Sequence, residues 1–357
     1  MGNNQTYPSA ALRVPRAARG MPTGWEVGKS EERKDGGRDN ILRVIRCPRD
    51  LDPSTFVAKQ GEEATGHRRL FAAAKRHGRS IRLHPAIVQP VWVRHDMVML
   101  PRFESDLVHA VTRGTVTTHE VLSVGRDMVN GIAALASCGL LHTDISPQNV
   151  CLRRETNGAL QGVLIDFESM LYVPPGTQHT WGGGWVPKLH FSSLMRHERC
   201  RRHDDNVDVA DELESCGWVM CWALCTLVGV EFLDVPPLPA DEDTLLGEMI
   251  ERARKLGLPC AIHESEHVAE TLKRKAYRVF LTGQCPFDIP HDVGMAMSRY
   301  FAAVRALPRR WRVTRQQLNK LVDDSRPHPY ALRASEVDGL LASLHVPASM
   351  LSTVNTS

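Results

Sequence analysis

The chain has 357 residues, 42% hydrophobic, 24% charged and 6% aromatic, proportions that fit an ordinary globular protein and exclude collagen-like, coiled-coil and wholly disordered architectures. Forty-four Lys and Arg against forty-one Asp and Glu leave a formal charge of +3. That is too near balance for a surface built to hold nucleic acid, so any phosphate chemistry is local.

The chain opens Met-Gly2-Asn-Asn-Gln-Thr6, the pattern for N-myristoylation once Met1 is removed. Arg13, Arg16 and Arg19 follow and supply the basic second signal that one acyl chain needs for membrane attachment. Membrane association through Gly2 stands beside the plainer expectation of an unmodified arm. No charged and apolar regions of a secretory signal are read. Residues 1–38, rich in Gly, Pro, Asn, Arg and Lys, are expected to be disordered. From Ile41 onward, ILRVI, TFVA, VQPVWV and MVML are β-branched or apolar runs bounded by turn residues, which predicts a small, mostly antiparallel sheet. One helix, Glu62 to about His77, lies among them.

After Asp106 the pattern turns helical. Thr117 and Glu120 form a capping box, apolar residues recur at helical spacing from Val121 to Leu135, and Gly139 is the stop. Val150–Leu152 and Val163–Phe167 read as strands around a polar turn. The longest uncharged apolar run, Ser215 to Val230, is shorter than the roughly 18 residues of a membrane span and reads as a buried helix with Cys221 and Cys225 as small core residues. Helices and polar loops then alternate to Leu344. The last segment, 326–357, is a tail with a short Ser335-capped helix. Nine cysteines without a paired CxxC framework point to free thiols in a reducing compartment, the cytoplasm or nucleus.

The chemistry gathers in Leu140-Leu-His142-Thr-Asp144-Ile-Ser-Pro-Gln-Asn149-Val-Cys-Leu and in Val163-Leu-Ile-Asp166-Phe-Glu168. One carboxylate and one carboxamide share a loop after the long helix, and a second carboxylate ends the following hairpin. Phosphoryl transfer needs such a set: a carboxylate to orient the attacking hydroxyl and oxygen ligands for Mg²⁺ on the phosphates. Asp144 is the candidate base, with Asn149 and Asp166 as candidate metal ligands.

These two segments resemble the catalytic core of the protein-kinase-like superfamily: His142-x-Asp144-x-x-x-x-Asn149 keeps the spacing of the catalytic loop, and Asp166-Phe-Glu168 stands where kinases carry Asp-Phe-Gly. The resemblance extends over about 40–325. His84-Pro-Ala-Ile-Val88 is similar to the H-P-N-I-V element, and Val98 to Leu107 to strand five, hinge and following helix; both phrases resemble herpesviral Ser/Thr kinases. Asp211-Glu212-Leu-Glu-Ser215-Cys-Gly217 is similar to the D-L-E-S-x-G helix of casein-kinase-like and fungal-type kinases, with Glu212 in place of the usual Asp. Arg312-Val-Thr314-Arg-Gln-Gln-Leu318 is similar to a late kinase element.

The resemblance implies an α+β two-lobed fold, with a small antiparallel-sheet lobe (about 39–102) and a larger, mainly helical lobe (about 103–325). It implies ATP and Mg²⁺ in the cleft between lobes and transfer to Ser/Thr hydroxyls of a protein substrate. By the same resemblance Asp144 and Asn149 are the catalytic pair, Asn149 and Asp166 hold the metal, and Lys59 of Phe56-Val-Ala-Lys59 steadies the phosphates. Leu100, Pro101, Arg102 and Phe103 meet adenine, and Asp106 reaches the ribose.

The sequence also departs from the family. Gly36-Gly37, or less well Gly24 and Gly28, stand in for the glycine-rich loop. The helix glutamate that pairs with Lys59 is Glu62 or Glu63, or is missing, and the rest of that helix is basic and read as solvated. Ser146 replaces a lysine that touches the γ-phosphate. Thr143 replaces the catalytic-loop arginine, so no activation-loop phosphate is needed. Glu168 replaces a glycine, and Phe191-Ser-Ser-Leu-Met stands near the expected Ala-Pro-Glu, leaving its ion pair with a late arginine such as Arg312 in doubt.

Two other readings compete. Aminoglycoside and choline kinases share H-x-D-x-x-x-x-N followed by I-D-F-E, which would make the acceptor a small alcohol. A catalytically weak pseudokinase would act as a binding platform. His190, His197, Cys200 and His203 offer a zinc alternative to a solvated basic segment near the substrate groove.

Overall fold

The computed structural model describes residues 24–30, 41–47, 51–76, 84–94, 96–173, 191–194, 196, 208–233, 261–308, 328 and 330–346. Contacts divide the chain into two compact units, residues 1–68 with 89–102 and residues 69–88 with 103–357. Segment 69–88 therefore belongs with the larger unit, although it falls inside the sequence span expected of the small lobe.

In the first unit β1 (Glu26–Ser30), β2 (Ile41–Arg46), β3 (Phe56–Gln60), β4 (Trp92–Arg94) and β5 (Met97–Pro101) form one antiparallel sheet in the order β1-β2-β3-β5-β4. Alternation builds its one-sided core: Leu42 and Val44 of β2 are buried while Arg43 and Ile45 face out. Val27, Ala58, Met97 and Met99 complete that core, with Trp25, Phe56 and Trp92 packed against it. β1 corrects the expectation of a wholly disordered arm over 1–38, for Val27 pairs with Val44. Apart from Gly24 and Trp25, the rest of that span, including Gly2, Gly36 and Gly37, lies outside the described residues. Gly61 takes φ 85° to turn the chain from β3 into α1 (Glu62–Arg76).

In the second unit β6 (Ser105–Asp106) leads into α2 (Leu107–Thr112) and then α3 (Thr118–Ala136). The α3 capping box forms as the sequence predicts: Glu120 N–H donates to Thr117 Oγ1 and Thr117 N–H to Glu120 Oε2. The helix ends one turn before Gly139, which takes φ 70° on the way into β7 (Leu140–Leu141). β8 (Val150–Arg154) and β9 (Leu160–Leu164) form the hairpin, β6 adds to β8, and β10 (Leu171–Tyr172) pairs with β7. β9 crosses α3 so closely that a Cβ on Gly162 would stand 2.8 Å from Val124 Cγ1.

Against α3 and α2 runs α4 (Val209–Val228), buried on all sides over most of its length, which is why its sequence is apolar without a polar face. Asp208 caps its start and Gly229, at φ 72°, ends it. α5 (Ala261–Leu281), α6 (His291–Ala306) and α7 (Ala334–Ser343) follow. Trp218, Tyr277, Phe280 and Phe301 form one ring cluster among α4, α5 and α6. The expected tail helix exists, but α7 packs on α3 and α6 and is capped by Arg333 with Glu336, not by Ser335. Cys216, Cys221, Cys225 and Cys285 are free thiols, and no described helix is long and apolar enough to cross a membrane.

Candidate active site

The loop between β7 and β8 is fixed by hydrogen bonds that its own sequence supplies. His142, fully buried, donates from Nε2 to Ile165 O at 2.8 Å and packs edge-on against Phe167. The Asn149 backbone accepts from Ile165 N–H at 3.0 Å. Both bonds end at the residue before Asp166, so the two halves of the motif meet through Ile165. Asn149 Nδ2 donates to the Asp144 backbone oxygen at 2.9 Å and to its carboxylate Oδ2 at 2.8 Å. Asp144 and Asp166 are half-buried, while Glu168 is exposed. Ala86 and Val88 of the HPAIV phrase bond to Leu164, holding the end of β9 from its other side.

Two residues next to the chemistry hold left-handed backbone: Thr143 at φ 69° and Asp166 at φ 65°. For a β-branched threonine this costs on the order of 1–3 kcal/mol and persists only where the surroundings over-determine it. They do. Thr143 N–H donates to Glu212 Oε1 at 2.6 Å, its Oγ1 to Ser169 O at 2.8 Å, and its carbonyl accepts from Arg196 Nη1 at 2.6 Å. Burial pushes the Glu212 carboxyl up to about 8, opposed by the Thr143 N–H and the Arg196 charge.

The stretch Phe191-Ser-Ser-Leu, where Ala-Pro-Glu is expected, is anchored through its backbone instead. Lys273 Nζ, fully buried on α5, donates to Ser192 O at 2.7 Å, and Leu194 N–H donates to Glu214 Oε1 at 2.7 Å. Ser193 Oγ donates to Asp211 Oδ1 at 3.0 Å. Burial pulls Lys273 below the usual lysine range while Glu214 and Glu270 oppose that pull. Arg312, the arginine proposed for an ion pair, lies outside the described residues, as do His190, His197, Cys200 and His203.

The remaining candidates fall in several places. Lys59 is half-buried on β3, opposite Ile41 and Val98. Leu100 is buried on β5 opposite Val57, and Pro101 faces Phe56. Arg102 N–H is taken by Thr55 O at 2.7 Å, and Pro101 has no N–H. Asp106 caps α2: its Oδ1 accepts from His109 N–H, and both carboxylate oxygens lie 2.9 Å from His109 Nδ1. Glu63 is buried with His67 Nε2 at 3.2 Å, while Glu62 is exposed.

Sequence reasoning read the basic face of α1 as solvated. In the structure Arg69 donates to Met170 O and Arg76 stacks over Tyr172, steadying the strand after Asp-Phe-Glu. It missed Arg196, Glu214 and Lys273 as well. For the first two the available signal was a charge with no place in its surroundings: a basic run beside Phe191-Ser-Ser-Leu, and a carboxylate inside an apolar helix.

An antiparallel five-stranded sheet with a helix after its third strand, followed by a helical unit that presents H-x-D-x-x-x-x-N and Asp-Phe-Glu on one hairpin, is the architecture of protein kinases. The fungal protein kinase family profile matches residues 104–224, the hairpin, both motifs and most of α4. The solved structure of vaccinia related kinase 3 superposes with a TM-score of 0.50 at 16% identity, covering 86% of this chain and 89% of that one. No curated protein matches the sequence. The chain thus has a protein-kinase-like fold, and its residues 104–224 resemble the fungal protein kinase family.

Proposed function

We propose that the chain transfers the γ-phosphate of ATP, with Mg²⁺, to Ser/Thr hydroxyls of proteins. The observation that carries this reading is the double hydrogen bond from Asn149 Nδ2 to Asp144, which holds a half-buried carboxylate in one orientation. With its amide nitrogen committed there, Asn149 offers its Oδ1, and Asp166 its carboxylate: hard oxygen donors that suit Mg²⁺. Asn149 and Asp166 would hold Mg²⁺ there, and it would supply positive charge against the charge that develops on the phosphates.

In this reading Asp144 orients the acceptor hydroxyl and takes its proton, and Lys59 steadies the phosphates. Ser146 brings no charge to the γ-phosphate, so transition-state stabilisation rests more heavily on the metal. The test is transfer from γ-labelled ATP to the protein itself, to generic protein acceptors and to aminoglycosides, comparing wild type with Asp144→Asn. Label on protein that vanishes in the variant supports the reading. Label on aminoglycoside alone replaces it with a small-molecule kinase, and Mg·ATP binding without transfer replaces it with a pseudokinase.

A further inference from the structure

We propose that Arg196 is a positioning residue for Asp144, clamping the peptide bond that joins Thr143 to it. The proposal rests on the phosphoryl-transfer reading of the site. The carbonyl that accepts from Arg196 Nη1 at 2.6 Å belongs to that peptide. Rotating this peptide plane would swing Asp144 away from its bond with Asn149. Thr143 is held at its N–H by Glu212 and at its Oγ1 by Ser169 O, so Arg196 supplies a third restraint on a residue in left-handed backbone.

The clamp arrives pre-set. Arg196 N–H donates to Ser193 O at 3.1 Å and Ser193 Oγ at 3.0 Å. Ser193 is tied in turn to Asp211, and its neighbours Ser192 and Leu194 to Lys273 and Glu214. The guanidinium is thus delivered to the catalytic loop by a segment braced on α4 and α5, over 50 residues away in sequence. The loop itself has threonine where the resemblance led us to expect arginine. Arg196 brings a guanidinium to the same peptide from outside, with no phosphate needed to hold it.

The experiment compares wild type, Arg196→Ala and Arg196→Lys in the full chain, reading kcat, KM for ATP, the unfolding midpoint and amide hydrogen exchange. Arg196→Ala is expected to lower kcat about 100-fold, the scale of a misplaced reacting group, with KM for ATP unchanged. Exchange should rise at Thr143, Asp144 and Ile145 but not along α4. Arg196→Lys should restore most of kcat, since an ammonium can donate to the same carbonyl. Wild-type kcat with unaltered exchange in Arg196→Ala overturns the proposal. So does a kcat loss matched by a lowered unfolding midpoint and not relieved by lysine, which would mark a merely structural role. If wild type transfers no phosphate to any acceptor, the functional reading fails, and the exchange comparison still decides whether the clamp exists.

Discussion

Asn149 holds Asp144 twice with a single amide nitrogen, at the backbone oxygen and at the carboxylate. Removing that side chain takes away both bonds to Asp144 and, on the proposed reading, a metal oxygen, so Asn149→Ala should lower kcat by about 10²–10⁴-fold and weaken Mg-dependent nucleotide binding together. Asp166→Asn should weaken metal-dependent binding without freeing Asp144. Nucleotide titrations with and without Mg²⁺ separate the two, and an Asn149→Ala protein with wild-type turnover would remove the pair from the mechanism.

Glu212 makes stability depend on pH in an unusual direction. In the folded chain it keeps its proton up to about pH 8, while an exposed glutamate loses it near 4.5. Unfolding between those values therefore releases a proton, and the contribution of this group falls as pH rises from 4.5 to 8, then levels off. Glu212→Gln keeps an acceptor for Thr143 N–H without the titration. Urea midpoints of wild type should fall relative to the variant across that window, and parallel curves would show that Glu212 is ionised throughout.

Two glycines on facing helices separate forgiving from unforgiving packing. A Cβ on Gly217 would stand 2.8 Å from Phe301 Cζ and 3.1 Å from Tyr300 Cε1, rigid rings on α6. A Cβ on Gly125 would meet Met220, whose thioether end can turn aside. Gly217→Ala should cost about 1–3 kcal/mol by overpacking despite the helix propensity gained, and Gly125→Ala less. Denaturant unfolding of both checks the order.

Lys273 sits in the core with Glu214 and Glu270 for company. Lys273→Met removes the buried cation that Glu214 and Glu270 face, although Glu270 keeps Arg274 at 2.7 Å, and should cost about 3–5 kcal/mol. Adding Glu214→Gln, which still accepts from Leu194 N–H, should recover part of that loss. A double-mutant cycle that comes out strictly additive would show that the two side chains do not interact.

Local rules made much of this molecule legible. The α3 capping box, the Gly139 stop and the catalytic-loop spacing all act over a few residues, and the sequence displays them directly. β1 was hidden because Val27, its one described buried apolar residue beside Gly28, lies in a stretch whose Gly, Arg and Lys content resembles a disordered arm. The Arg196, Glu214 and Lys273 anchors were hidden for another reason. Their partners are backbone atoms at distant positions, and a carbonyl leaves no signature in the side-chain alphabet. The same holds for Arg69, whose partner is Met170 O.

The stop at Gly139 is closed from far down the chain. The His328 ring occupies the place a Cβ at Gly139 would take, donates from Nε2 to Val173 O at 2.9 Å, and accepts from Tyr330 N–H at 3.1 Å. Leu340 and Leu344 bury beyond it. On the ribosome, the β1–β5 sheet has all its strands once residue 101 has emerged. The support behind β7 is incomplete until about residue 344 is out, so the smaller unit can fold during synthesis while the unit carrying Asp144 matures only afterwards.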